Sequence, residues 1–262
     1  MKKKKRADFS VVIGLLIGLA AIVICAVLEG IKLTFLLQPT AALVVFGGTL
    51  GAVIVRRGVN GLKEAAKSGS DLFFHEQDDK DAILGRLIWM ARAARHEGVK
   101  AFETNIGTIR DPLVTQALSM AADYAKPADV RIKLDRILEA EDERGISEVA
   151  TFDAAGGYAP TFGIIGAVLG LIYVLRSIAD PGSLGQGIAT AFVATIYGVG
   201  AANLVFFPIA SRLRDRHRSR MRHREMLAEA LVALAAHESP HAIAASFSGP
   251  TTIVGSSESY EH

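Results

Sequence analysis

The sequence predicts an all-α, polytopic membrane protein with four transmembrane helices and a helical cytoplasmic domain between spans 2 and 3. Three observations carry that expectation. Four runs of about 20 mostly apolar residues are each long enough to cross a hydrocarbon core as a helix. Basic residues collect beside only some of the loops between those runs. The stretch of about 100 residues between the second and third runs has amphipathic helical spacing, and no alternating strand pattern stands out.

The elements follow in order. Lys2, Lys3, Lys4, Lys5 and Arg6 precede the first run, FSVVIGLLIGLAAIVICAVL from Phe9 to Leu28, which holds no charge. It is expected to be a retained span and not a cleaved leader: it is long, and no small-x-small site precedes the loop at Glu29. The second run extends from about Leu36 to Val55. Its Gly47, Gly48 and Gly51 would weaken a soluble helix but suit close packing of membrane helices. Arg56, Arg57, Lys63 and Lys67 follow.

Three helical stretches are then expected. LGRLIWMARAARHEG sets Leu84, Leu87, Ile88 and Met90 among arginines and stops near Gly98. A second stretch covers Pro112 to Ala125, and a third, Asp129 to Gly145, carries Ile132, Leu134, Ile137 and Leu138. The third run covers Tyr158 to Leu175 and the fourth Ile188 to Ile209. After it, Arg212 to Arg224 place an arginine at every second position, and an apolar-faced segment follows near Met226 to Ala236. From Ser246 the chain is rich in Ser, Thr and Gly and is expected to be disordered.

The positive-inside bias puts both termini and the long middle segment in the cytoplasm. The chain therefore divides into a cytoplasmic N-terminus (1–8), transmembrane helices 1 and 2 (9–55), a cytoplasmic helical domain (56–157), transmembrane helices 3 and 4 (158–209), and a cytoplasmic basic helix and tail (210–262).

Composition excludes several functions. A net charge of +2 offers no general attraction for nucleic acid. The single cysteine, Cys25, lies within an apolar run and allows no intrachain disulfide. No GxxxxGK[ST], HExxH, GxSxG or paired-cysteine pattern occurs, and the seven histidines are scattered, so no catalytic residue, metal site or cofactor is expected.

What the spans lack is informative. Transport proteins usually keep an ionisable residue at membrane depth, and none of the four apolar cores contains Asp, Glu, Lys, Arg or His. Thr195, Asn203, Thr190, Thr161, Tyr197 and Thr49 are the polar groups. A hydroxyl can bond to a carboxylate or a partly hydrated cation but cannot relay a proton at neutral pH. If protons move here, the titrating carboxylate comes from a partner helix. Thr195 alone fits equally well a hydroxyl bonded back to its own helix.

Small residues recur along span 3 (Gly163, Ala167, Gly170, with Gly166 and Gly170 forming GxxxG) and span 4 (Ala194, Gly198, Ala202). One such stripe speaks only for packing. Two helices carrying them also suit a pore-lining or partner-binding face. Pro160 is placed in the first turn of span 3, and Pro208 near the cytoplasmic end of span 4, where it should bend the helix.

These residues resemble those of the flagellar motor stator A-subunit family (MotA/PomA-type), related to the ExbB/TolQ channel family. The likeness rests on the two-plus-two span layout and on FGGTLGAV at 46–53, GGYAPTFGIIGAVLGL at 156–171, ATIYG at 194–198 and HESPHAI at 237–243. ExbB/TolQ proteins have a single span before their cytoplasmic segment and fit less well.

The resemblance implies an inner-membrane ion-channel subunit of a bacterial motility motor, assembled as a homopentamer around a B-type partner. That partner has one span, binds peptidoglycan and supplies the ion-carrying aspartate. Spans 3 and 4 would line the channel. Pro160, Pro208 and Thr195 match residues of the ion path, and Arg95 and Glu103 match the charged pair that engages the rotor's switch-complex protein. Sodium-type relatives carry threonine where Ala167, and often where Ala194, stand here, so the resemblance implies proton flow. It leaves open a sodium-driven stator, or an energiser of the same superfamily driving another envelope or gliding machine.

Overall fold

The computed structural model describes residues 5–7, 9–72, 74–76, 85, 87–93, 111–123, 125–176 and 181–243. They are helical apart from loops and one antiparallel pairing of two three-residue strands, β1 (Lys5–Ala7) with β2 (Phe74–Glu76). The helices are α1 (Phe9–Leu28), α2 (Leu33–Leu36), α3 (Pro39–Ala42), α4 (Gly48–Asp71), α5 (Pro112–Ala122), α6 (Pro127–Arg176), α7 (Pro181–Ala201) and α8 (Phe207–Ala235). Residues 87–93 are helical as well.

Among the described residues, three helices are long and apolar enough to cross a membrane: Leu33–Asp71, Pro127–Arg176 and Leu184–Ala235. A shorter apolar helix covers Val12–Leu28. Their outer faces are apolar and uncovered, with Leu16, Ile17, Val55, Ile164 and Phe192 all exposed. That pattern suits lipid or a partner helix, not water.

The chain forms two compact units, residues 1–77 with 144–217 and residues 78–143 with 218–262. The first unit is held by glycines that admit a neighbour. Gly48 lies under the Phe162 ring, a Cβ at Gly18 would fall 2.7 Å from Leu204, and one at Gly69 would fall 2.8 Å from Phe152. Arg57 closes α4 onto α6 through the Ser147 carbonyl and hydroxyl and, at 3.2 Å, the Thr151 hydroxyl. Arg214 of α8 pairs with Asp153 of α6 at 2.5 Å.

The second unit has a conventional apolar core. Leu87, Met90, Leu113, Val114, Leu118, Val130, Leu134, Leu231 and Ile243 are all buried in it. Leu134, Leu138 and the Leu227–Ala235 face behave as their spacing predicts, whereas Ile132 points outward and is 54% exposed. The expected stop at Gly98 and the tail from Ser246 lie outside the described residues.

Helix boundaries differ from the expectation in three places. First, Asp129–Gly145 and span 3 are one 50-residue helix, α6, so Pro160 sits deep inside it and not in a first turn. Hydropathy marks where a membrane begins, but not where a helix begins. Gly145 continues α6, and its missing side chain leaves room for the His217 ring.

Second, two wide π-turns interrupt the apolar helices, at Leu43–Gly47 before α4 and at Ala202–Phe206 before α8. The second directly precedes Pro208, with Phe207 N–H reaching back to the Ala202 carbonyl. A proline cannot donate a backbone hydrogen bond and crowds the carbonyl four residues back, so a wide turn there relieves both demands.

Third, α4 breaks at Gly58, whose φ of 68° and ψ of 169° belong to a region that only glycine enters readily. Gly58→Ala is therefore expected to destabilise the first unit by about 1–3 kcal/mol. A lowered melting temperature of the detergent-purified protein checks this. An unchanged melt would mean that the backbone relaxes freely at that point.

Candidate functional site

The crossing of α6 and α7 concentrates the residues singled out from the sequence. A Cβ at Gly163 would lie 3.0 Å from the Ala194 carbonyl oxygen and 3.5 Å from Thr195 Cα. One at Gly198 would lie 3.1 Å from Pro160 Cα, and one at Gly170 would lie 2.8 Å from the Ala191 nitrogen. Backbone thus meets backbone along the crossing, the close approach that small residues permit. The stripe glycines of α6 and Ala194 and Gly198 of α7 pack closely against one another within the chain.

The site residues divide accordingly. Ala194 is fully enclosed, packed with Ala41, Val45 and Val193 and lying beside Gly163 and Gly166. Ala167, one residue beyond Gly166, is half-buried. Thr195 is on the outer face of α7, in line with exposed Ile188, Phe192, Val199 and Asn203. Its hydroxyl donates to the Ala191 carbonyl at 3.4 Å, which is the bond back to its own helix that its sequence context allows. The oxygen keeps lone pairs for another donor or a cation.

Pro160 meets Gly198 across the crossing, and Thr161 beside it donates to the Tyr158 carbonyl at 2.7 Å. Pro208 is exposed in the first turn of α8, next to Phe207, whose ring packs 2.6 Å from where a Gly156 Cβ would be. The two proline turns are therefore linked through Gly156 and Phe207. Arg95 and Glu103 lie outside the described residues.

Tyr197 of α7 closes the short loop before α3. Its hydroxyl donates to the Leu36 carbonyl and accepts from Gln38 N–H at 3.4 Å, and its ring is 6.0 Å from that of Phe46. Thr190 donates to the Gln38 side chain at 3.4 Å. In α4 the buried Thr49 hydroxyl has no partner among the described residues.

Sequence reasoning missed one polar cluster. Arg224, one arginine of the alternating run, is 13% exposed and grips Glu141 through two hydrogen bonds of 2.8 and 2.5 Å and Asp111 through one of 2.6 Å. Asp111 also caps α5, accepting from Leu113 N–H at 2.9 Å. Burial pulls the Arg224 guanidinium down, but the bonds and charges of Glu141 and Asp111 outweigh it, and it stays protonated above its ordinary range. The Asp-Pro start of α5 is a readable capping signal, yet nothing in the alternating run sets Arg224 apart. Among the described residues no group of three His, Cys, Asp or Glu side chains could hold a metal ion.

Residues 105–226 match the MotA/TolQ/ExbB proton channel family, and residues 12–98 match the Motility protein A N-terminal family. Motility protein A of Bacillus subtilis is 30% identical over 240 residues, covering 90% of this chain and 88% of that one. The flagellar MotAB stator complex from Bacillus subtilis is similar in structure, with a TM-score of 0.79 at 29% identity over 90% of this chain and 93% of that one. The C. jejuni MotAB structure shares the fold, with a TM-score of 0.83 at 23% identity over 94% and 97% of the two chains.

A bundle of apolar helices closed by backbone contact, with no ionisable group in the apolar cores and an outward threonine hydroxyl on α7, suits an inner-membrane subunit. The chain belongs to the MotA-type flagellar stator family, related to ExbB/TolQ. It is an ion-channel subunit of the flagellar motor stator and not an enzyme.

Proposed function

We propose that this chain is the channel-wall subunit of a proton-driven stator, crossing the inner membrane four times with both termini in the cytoplasm. The observation that carries the proposal is the contrast within α7: no ionisable group at membrane depth, but a threonine hydroxyl on its uncovered face. A channel wall of that kind needs a carboxylate from outside the chain.

The B-type subunit fits this need: one span carrying the ion-binding aspartate, and a peptidoglycan-binding part that anchors the assembly. The MotAB stator complex of the Bacillus subtilis relative supports that pairing. Five copies of this chain would surround it, with residues 158–209 toward the ion path and Pro160, Thr195, Ala167, Ala194 and Pro208 among its determinants. Residues 56–157 would reach the rotor, Arg95 and Glu103 meeting the switch-complex protein through steered, exposed charge contacts. Residues 1–8 and 210–262 complete the cytoplasmic part.

Co-purification with the products of neighbouring genes, followed by mass measurement, tests the assembly. A stable complex with no one-span aspartate subunit overturns it. Thr195→Val is expected to reduce swimming speed while membrane levels hold, and Thr195→Ser to preserve it. Equal speeds for the two variants would remove the hydroxyl from the ion path.

Alanine at 167 and 194 offers no extra hydroxyls to replace water around sodium, which supports protons as the driving ion. Cells relying on this stator should swim normally without sodium and stop when a protonophore is added. Strict dependence on sodium would reverse that assignment.

A further inference from the structure

Two exposed stripes in the second unit carry charges that the chain does not use internally. On α6, Ile132, Arg136, Glu139 and Glu143 share one face at helical spacing, opposite buried Leu134 and Leu138. On α8, Arg218, Arg222, Glu225 and Glu229 share another, opposite buried Leu227 and Leu231, and half-buried Val232 continues it. Among the described residues none of these charges makes an ion pair. Arg131, by contrast, is taken by Asp135, and Arg224 by Glu141 and Asp111.

The two stripes match in register. α8 runs antiparallel to α6: Gly156 meets Phe207, and Gly145 meets His217. Arg224 bonds to Glu141 and fixes the level in the second unit. Glu143 then lies level with Arg218 to Arg222, and Glu139 follows beside Arg222. Arg136 lies level with Glu225 to Glu229, and Ile132 with Val232. The stripes face away from the α6–α8 contact, so they cannot meet within one chain. Copies that cross one bilayer in the same sense are related by an axis along the membrane normal, and rotation about that axis leaves every residue at its own height. An α6 stripe on a second α6 would set Glu139 and Glu143 against themselves, and an α8 stripe on a second α8 would set arginine against arginine. Only α6 against the α8 of another copy brings opposite signs together, a head-to-tail contact of the kind that closes rings.

We propose that the Ile132–Glu143 face of α6 docks on the Arg218–Val232 face of α8 in the next copy of this chain, with Glu143 and Glu139 on its arginines and Arg136 on its glutamates. Each exposed pair is weak alone, so truncating one charge costs little and reversing it is the sensitive change. This inference rests on the proposed reading of the chain as a ring of copies in the membrane.

The test uses the full chain in the complex with which it co-purifies, in a Cys25→Ser background. A chain carrying both Glu139→Cys and Arg222→Cys should give, on mild oxidation, a ladder of dimers, trimers and larger products on a denaturing gel. The same two variants in separate, co-expressed chains should give dimers only, and either variant by itself a single-chain band. Glu143→Arg should lower recovery of the assembled complex about threefold, and adding Arg218→Glu should restore most of it. A complex whose mass holds one copy of this chain would overturn the ring and this inference with it. A multi-copy complex in which the doubly substituted chain stays a single-chain band would overturn the docking alone. Dimers from Glu139→Cys by itself would overturn it too, because α6 would then meet α6. Recovery unchanged in Glu143→Arg, or not restored by Arg218→Glu, would remove the charge match from the contact.

Discussion

Gly198→Ala is expected to cost about 1–3 kcal/mol of stability in the assembled protein, and Gly198→Val to abolish motility. The added Cβ would meet the Ala159 carbonyl oxygen at 2.5 Å and the Pro160 and Gly163 Cα atoms at 3.1 Å. All three neighbours are backbone, so no rotamer change relieves the contact and α6 must move away from α7. Separation there shifts Pro160 relative to Thr195, the geometry on which the proposed ion path beside this pair would depend. Gly200, two residues further along, has nothing within 4 Å of its missing side chain, so Gly200→Ala should change stability by less than about 0.5 kcal/mol. Melting temperature and soft-agar spreading of the two alanine variants decide the matter. Equal behaviour would mean that the crossing is looser than its contacts imply.

That crossing was largely legible in the sequence, because close helix approach demands small residues and Gly163, Gly170, Ala194 and Gly198 recur at helical spacing. Their role was not legible. A stripe serves equally for an internal seam or an outward wall, and only the enclosure of Ala194 beside Gly163 and Gly166 identifies it as the seam. Thr195 was legible as a polar exception, and its outward position comes from being the next residue around the helix. The core of the second unit was equally readable, since Leu134 and Leu138 follow their four-residue spacing inward.

The features that escaped notice are ones that hydropathy and residue spacing do not record. Pro160 lies mid-helix because residues from 127 onward already form helix α6. The turn at Gly58 is recognised by its backbone angles, while the residue itself is one glycine among 25. The wide turn before Pro208 reflects how a helix accommodates a proline ring, which hydropathy does not record.

Arg224 presents the same problem, and its removal provides the second large expected effect. Arg224→Ala should cost about 2–4 kcal/mol in the second unit, since it strips Asp111 and Glu141 of a shared partner that is itself 13% exposed. The figure is kept below that for a fully dry pair because the two carboxylates are 34% and 30% exposed and partly hydrated. Arg224→Lys should recover only part of the loss, as an ammonium cannot hold Glu141 through two parallel bonds while reaching Asp111. Neighbouring Arg222 is exposed, and Arg222→Ala should be close to neutral. The guanidinium is held protonated above its ordinary range, so on its account the stabilisation persists through neutral and mildly alkaline pH and fades only as pH rises into strong alkali. The gap in melting temperature between the parent and Arg224→Ala should therefore not narrow between neutral and mildly alkaline buffers on account of this group. Because Asp111 both binds Arg224 and caps α5, the damage should appear first as fraying of that helix, visible as faster amide exchange at Leu113 and Val114. Exchange there as slow as in the parent protein would show that α5 is held by its apolar core alone.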